Sequence, residues 1–228
     1  MQQSKNFHYR YERKYVSSDY SSHQLRNFLL LSNRGFTRIY YKRRVNSIYF
    51  DTPEFEYFEQ NINGDQDRRK VRVRWYGEQS SPRNLQLEIK IKCGEIMRKE
   101  VFPLSCQDSN LSSFIKKLTS LVQKELSNKL EEAQVLRPVL INSYWREYFY
   151  SPGDKIRVTL DDDIEFQSIS DFIHKRVSQR LAFSILECKY TLRNDRALQA
   201  VLQTLPVQIS KSSKYVMGIE QTYSHLMS

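Results

Sequence analysis

Polar and apolar side chains alternate from Lys70 to Trp75, so that an extended chain carries Lys70, Arg72 and Arg74 on one face and Val71, Val73 and Trp75 on the other. The same two-residue period returns at 85–92, where Leu85, Leu87, Ile89 and Ile91 oppose Gln86, Glu88, Lys90 and Lys92. It returns at 7–16, with Arg10, Glu12 and Lys14 on one face and Tyr9, Tyr11 and Tyr15 largely on the other. At 155–166, Ile156, Val158 and Leu160 oppose Arg157, Thr159, Asp161 and Asp163, and at 182–192 Leu186 and Cys188 oppose Glu187 and Lys189. Strands are also predicted at 45–51, 96–104 and 139–151. The first ends at Asp51-Thr52-Pro53, and the second places Arg98 and Glu100 on one face. With turn signals at Asn63-Gly64 and Cys93-Gly94-Glu95, residues 70–104 read as a three-stranded meander.

The helical period marks the rest. Leu25, Phe28, Leu29 and Leu31 predict a helix that Ser or Asp caps and Gly35 ends. A short acidic-aromatic helix follows Pro53 and runs through Glu59. Leu111, Phe114, Ile115, Leu118, Leu121 and Val122 predict a long helix within 108–133. Asp195 caps a helix through Leu205, and a basic-aromatic helix closes the chain. No composition shift, internal repeat or low-complexity linker interrupts the chain, so a single domain over 1–228, of α+β class, is expected.

Composition adds a partner class. Hydrophobic residues make up 39%, which is lean for 228 residues and suits a fold with a polar centre. Thirty-six Lys and Arg against 26 Asp and Glu give a formal charge of +10, which calls for nucleic acid, phosphate esters or an acidic membrane. Cys93, Cys106 and Cys188 lack CxxC spacing and are odd in number, arguing for free thiols in a reducing compartment. No apolar run approaches the roughly 18 residues of a membrane span. The first residues lack the apolar centre of a secretory signal. A cytoplasmic protein is expected.

The polar faces collect Glu12, Lys14, Lys70, Arg72, Arg74, Glu88, Lys90, Lys92, Arg98, Arg146, Arg157, Asp161, Glu187 and Lys189. Two readings stand. An open two-layer sheet would turn this face to water. A closed barrel would enclose it as a charged lumen and remove exposed strand edges. A lumen rich in cations calls for a multivalent anion, since buried cations without partners are costly. Phosphate suits the Arg fork and the compact Lys charge. Convergent Glu12, Glu88 and Glu187 would offer hard oxygen ligands for Mg²⁺ or Mn²⁺. The plainer role for these carboxylates is ion pairing with neighbouring strand cations. Of His8, His23, His174 and His225, none sits in a recognisable site motif.

Eight segments carry a resemblance. Arg10-Tyr11-Glu12-Arg13-Lys14-Tyr15, Ser47-Ile48-Tyr49-Phe50-Asp51-Thr52, Arg72-Val73-Arg74-Trp75-Tyr76-Gly77, Glu88-Ile89-Lys90, Tyr144-Trp145-Arg146, Arg157-Val158-Thr159-Leu160-Asp161, Leu186-Glu187-Cys188-Lys189 and Ser213-Lys214-Tyr215 occur in this order. The order resembles that of VTC-type polyphosphate polymerase domains, within the triphosphate tunnel metalloenzymes, over nearly the whole chain. The resemblance implies an eight-stranded antiparallel β tunnel wrapped by helices. It implies transfer of the ATP γ-phosphate to a growing polyphosphate chain, with Mn²⁺ or Mg²⁺. Position by position, it implies phosphate contacts from Lys14, Arg72, Arg74, Lys90, Arg98, Arg146, Arg157 and Lys214, with Arg72, Arg74, Lys90 and Lys214 nearest the chemistry; where the family commonly has Lys this chain has Arg98, and the choice of Arg98 or Lys99 as the inward residue stays open. Glu187 becomes the main metal ligand, with Glu12 and Glu88 as further candidates. Lys189 joins the phosphate contacts through its place on the charged face. A membrane partner would be separate, because this chain shows no span.

Two rival readings remain. A tunnel triphosphatase would use water as nucleophile; such hydrolases usually show ExE on the first and last strands, where this chain has Glu12-Arg13-Lys14 and Glu187-Cys188-Lys189. A binding module for polyphosphate or RNA would use Trp75, Tyr76 and Trp145 as stacking platforms. Trp75 lies on the apolar side of its strand, which favours packing over stacking, and no nucleic acid is expected.

Overall fold

The computed structural model describes residues 11–94, 96–203, 205, 207–210 and 213–223. Strand β1 (Tyr11–Ser17) leads to helix α1 (Ser22–Leu31), the long strand β2 (Thr37–Asp51) and α2 (Glu56–Asn63). Then come β3 (Arg68–Tyr76), β4 (Leu85–Cys93), β5 (Ile96–Leu104) and α3 (Leu111–Leu126). A 3-10 turn over Glu131–Val135 precedes β6 (Arg137–Ser151), β7 (Ile156–Ser168), α4 (Ile169–Ile173) and β8 (Gln179–Arg180). The chain closes with β9 (Ser184–Tyr190), α5 (Asp195–Leu202), β10 (Gln208–Ser210) and α6 (Lys214–Thr222). No helix among the described residues is long and apolar enough to cross a membrane.

Local chemistry sets these bounds. Ser21 and Gln24 form a capping box at α1, each side chain accepting the other's backbone N–H. Asn110 caps α3 through the Ser113 N–H, and Ser213 caps α6 through the Val216 N–H. Helix α1 ends before Gly35, because Ser32 turns extended and its hydroxyl donates to the Leu29 carbonyl at 2.7 Å. Gly35 serves the turn beyond at φ +63°. Helix α3 is shorter than its apolar spacing predicts: the N–H groups of Lys129 and Leu130 both close on the Leu126 carbonyl, and Leu130 leaves in extended geometry. Gly64 ends α2 at φ +71°, so the Asn63-Gly64 signal is a helix cap rather than a strand turn. Asp195 is the first residue of α5 instead of its cap, and its carboxylate accepts the Tyr190 hydroxyl at 2.8 Å. The part of the first predicted strand before Tyr11 lies outside the described residues.

The recorded ladders are antiparallel, and strand neighbours follow the order β10-β1-β9-β7-β6-β2-β3-β4-β5, with β8 on β7. Ten strands are thus described where eight were expected; β8 and β10, of two and three residues, carry no alternation long enough to read. Among the described residues the recorded path runs from β10 to β5. The sheet-rich α+β class holds.

The chain divides into two compact units. The first comprises Met1–Arg43, Trp145–Ile164 and Leu181–Ser212; the second comprises Arg44–Tyr144, Glu165–Arg180 and Ser213–Ser228. In the first, the apolar faces of β1, β9 and β7 (Tyr15, Leu186, Cys188, Val158, Leu160) share one core with Leu25 and Leu29 of α1 and Leu198 and Val201 of α5. In the second, Val71, Val73 and Trp75 are buried with Leu85, Leu87 and Ile89, each worth about 1.5–3 kcal/mol on burial. Trp75 is fully buried, and its indole N–H donates to the Glu78 carbonyl at 3.1 Å. It packs. With their apolar faces inside, the strands of both units turn their charged faces the other way.

Candidate functional site

In the first unit, antiparallel register sets Glu12 opposite Lys189 and Lys14 opposite Glu187, while Arg157 of β7 lies opposite Lys189 and Thr159 opposite Glu187. Directly opposed residues share a face, so three strands build one charged surface. The Lys189 Nζ sits 2.8 Å from Glu187 Oε1 and 3.6 Å from Glu12 Oε2, and Lys14 Nζ lies 3.5 Å from Glu12 Oε1. Burial would raise the Glu187 carboxyl, but Lys189, Arg146 and Lys14 outweigh it and hold the group well below the usual carboxylate range. Arg146 of β6 grips the fully buried Asp161 with two bonds, Nε–Oδ1 at 2.5 Å and Nη2–Oδ2 at 2.7 Å. Arg157 is exposed, its guanidinium 6.0 Å from the Tyr150 ring centroid.

The second unit builds its charged face on β2–β5. Glu88 is 2% exposed. Its Oε2 accepts from Arg72 Nε and Nη2 at 3.0 and 2.6 Å, while Arg74 Nη1 and Lys99 Nζ approach Oε1 at 3.3 and 3.2 Å. Burial pushes the Glu88 carboxyl up; Arg72, Arg74 and Lys99 pull it down further, to about 2. Beside this cluster Lys70, Lys90 and Lys99 stand directly across from one another on three adjacent strands. On the β2 side Arg72 Nη1 reaches the Tyr49 hydroxyl at 3.4 Å. Lys214, the first residue of α6, holds its ammonium 4.7 Å from the Tyr144 ring centroid.

One expected contact is corrected. Arg98 lies opposite Ile91 on the apolar side of the β4–β5 ladder, largely exposed and paired with Glu100 at 2.6 Å. Lys99 takes its place on the charged face. The reason is register: the tight turn at Gly94, φ +58°, pairs Cys93 with Ile96, which carries Lys99 to Lys90. That turn was visible in the sequence, and counting outward from it finds Lys99. Nothing in the sequence marked Asp161 as the partner of Arg146, since fifteen residues separate them.

The carboxylates divide by what they can hold. Among the described residues no three His, Cys, Asp or Glu side chains form a metal cluster. Glu88 is enclosed by three cations, so it does not suit a metal. Glu12 and Glu187 suit it better: both face the Lys189 ammonium, and a divalent ion can replace one cation between two carboxyl groups.

Residues 8–223 match the model of the VTC domain family. Subunit 2 of the vacuolar transporter chaperone complex of Saccharomyces cerevisiae is 29% identical over 160 residues, covering 58% of this chain; the chain spans about a fifth (19%) of that protein's length. Among solved structures, the Hippeastrum protein HpAC1, described as having a dominant triphosphatase activity, superposes with a TM-score of 0.56 at 15% identity over 92% of this chain and 95% of the other. The PH1819 protein of Pyrococcus horikoshii OT3 superposes with a TM-score of 0.52 at 15% identity, over 93% of this chain and 99% of the other. At these identities the two structures share the fold. The match of nearly the whole chain to one family model makes this chain a member of the VTC domain family.

Proposed function

We propose that this chain is a polyphosphate polymerase, transferring the γ-phosphate of ATP to a growing inorganic polyphosphate chain held by its basic strand faces. The observation that carries this reading is the lysine row of β3, β4 and β5. Lys70, Lys90 and Lys99 lie directly opposite one another, which concentrates cationic charge on one face of three adjacent strands beside the Arg72–Arg74–Glu88 cluster that Lys99 joins. A chain of phosphates, one charge per unit, matches such a row. Family membership supports the same ligand class.

The chemistry asks little covalent help of the protein. Phosphoryl transfer is promoted by holding attacking and leaving oxygens in line and by neutralising the equatorial oxygens. Arg72 and Arg74, held in orientation by Glu88, present their guanidinium groups on this face, and Lys90, Lys99 and Lys214 add point charges. Lys14, Arg146, Arg157 and Lys189 supply cations on the face of the first unit. The terminal phosphate of an acceptor chain is already anionic, so no strong general base is required. Mn²⁺ or Mg²⁺, when bound by Glu187 and Glu12, would supply further neutralisation of phosphate charge.

Incubating the protein with ATP and Mn²⁺ and resolving products by size tests the reading. Lengthening chains with stoichiometric ADP are expected. Free phosphate without chains would instead make the protein a triphosphatase, like the Hippeastrum structure it resembles. Neither product would leave a binding module. Arg72→Ala and Glu187→Ala should each abolish most synthesis; full synthesis in both would sink the site assignment. The similarity to a subunit of a chaperone complex supports a complex partner as well, which co-purification from the native source would detect.

A further inference from the structure

Two residues of the family-like segments, Asp51 and Tyr215, take no part in the proposed phosphate contacts, yet the second unit is built around them. Asp51 ends β2 with a carboxylate that is 0% exposed. Its Oδ1 accepts the backbone N–H groups of Thr52 and Tyr57 at 2.8 and 2.9 Å, and its Oδ2 accepts that of Phe58 at 3.0 Å. The remaining bond comes from across the unit, where the Tyr215 hydroxyl of α6 donates to Oδ2. Burying a carboxylate is costly unless each lone pair is answered, and burial does push this one upward. An apolar residue of the same size would leave the N–H groups of Thr52, Tyr57 and Phe58 and the Tyr215 hydroxyl without this acceptor, so the one carboxylate closes the first turn of α2 and ties α6 to it. Its bond to the Tyr215 hydroxyl bears on the rotation and depth of α6.

That helix carries Lys214. In an α-helix successive side chains are about 100° apart, so pinning the Tyr215 ring also fixes the direction in which Lys214 leaves the axis. The ring is pinned three ways: its hydroxyl by Asp51, one flank by a stack on Tyr49 with centroids 5.0 Å apart, and an edge contact to Phe58. Tyr49 in turn receives Arg72 Nη1 on its hydroxyl at 3.4 Å, and Lys214 rests over Tyr144. One buried anchor therefore bears on a cation of the helix and a cation of the strand.

We infer that Asp51 and Tyr215 are positioning residues, locking α6 so that the Lys214 ammonium is presented in a fixed place for a phosphate chain. This rests on the proposed anion-binding role of Lys214. The test is a double-mutant cycle read by binding of size-fractionated polyphosphate, with Tyr215→Phe, Lys214→Ala and the pair. Tyr215→Phe keeps the ring stack and loses only the hydroxyl; Asp51→Asn replaces the Oδ2 acceptor by an amide NH2 and so alters the same bond together with that from the Phe58 N–H, and circular dichroism confirms that each variant is folded at the assay temperature.

Each single change should weaken binding by about tenfold, the scale of one charge-assisted contact. The double variant should bind no more weakly than Lys214→Ala alone. A Tyr215→Phe penalty that persists in full without Lys214 would show a general structural role and overturn the inference. So would unchanged affinity in both Tyr215→Phe and Asp51→Asn, or a wild-type chain that does not bind polyphosphate. Binding is measured separately from turnover, so coupled binding without synthesis would sink the polymerase reading and leave the positioning role intact.

Discussion

Glu88→Gln removes one charge and almost no volume from the centre of the second unit. In the wild type the carboxyl titrates at about 2 instead of the ordinary 4.5, because Arg72, Arg74 and Lys99 outweigh its burial. At about 1.4 kcal/mol for each tenfold change in the proton equilibrium, the ionised group contributes roughly 3 kcal/mol near neutral pH. The folded-state value lies below the unfolded one, so this contribution is complete above about pH 5 and is lost as pH falls towards 2. With these two values the contribution falls to about 1.4 kcal/mol near pH 3. Urea unfolding of both proteins, followed by tryptophan fluorescence, should therefore show the variant about 3 kcal/mol less stable near neutrality. The gap should shrink by about 2 kcal/mol near pH 3. Subtracting the two curves cancels other acidic groups that titrate in the same window, such as Glu187 and Glu132. Curves that stay parallel from about pH 6 to about pH 3 would refute the reasoning, since the carboxylate would then not be held by these cations.

Four further outcomes are expected. Lys99→Gln should weaken polyphosphate binding by about tenfold and Arg98→Gln by less than about twofold in a direct titration, because only Lys99 shares the face of Lys90. Arg146→Ala should cost about 3–5 kcal/mol in urea unfolding, leaving the buried Asp161 carboxylate without its guanidinium. Gly218→Ala should destabilise by about 1–3 kcal/mol in the same assay, since the new methyl would clash with Leu140 and lie 2.7 Å from Phe166. Lys189→Gln should strengthen Mn²⁺ binding in the absence of phosphate, read by electron paramagnetic resonance, because it empties the position between Glu12 and Glu187; unchanged binding would place the metal elsewhere.

Much of this was legible in the chain because strand periodicity is local. Alternation at Lys70–Trp75 separates the charged from the apolar face without reference to any partner, and the buried Trp75 follows from that period alone. The start of α1 was similarly legible, since a cap needs only a side-chain oxygen and a nearby N–H, which Ser21 supplies. Helix ends and short strands were not. Helix α3 stops where its last carbonyl is taken by two N–H groups, and β10 exists through its ladder with β1. The choice between Arg98 and Lys99 stood between these cases, fixed by a turn one residue from ambiguity.

The sequence by itself determined which residue types face together along each strand, and so the cationic character of the site, because those relations span two to four residues. Tertiary structure alone decided which charges neutralise which. It gave Glu88 to Arg72, Arg74 and Lys99, Asp161 to Arg146, and Glu187 to Lys189. It also joined Asp51 to Tyr215 across 164 positions of chain. Such pairings depend on strand register and helix docking, which are set by the burial of whole faces, and that burial exists only once the chain has folded.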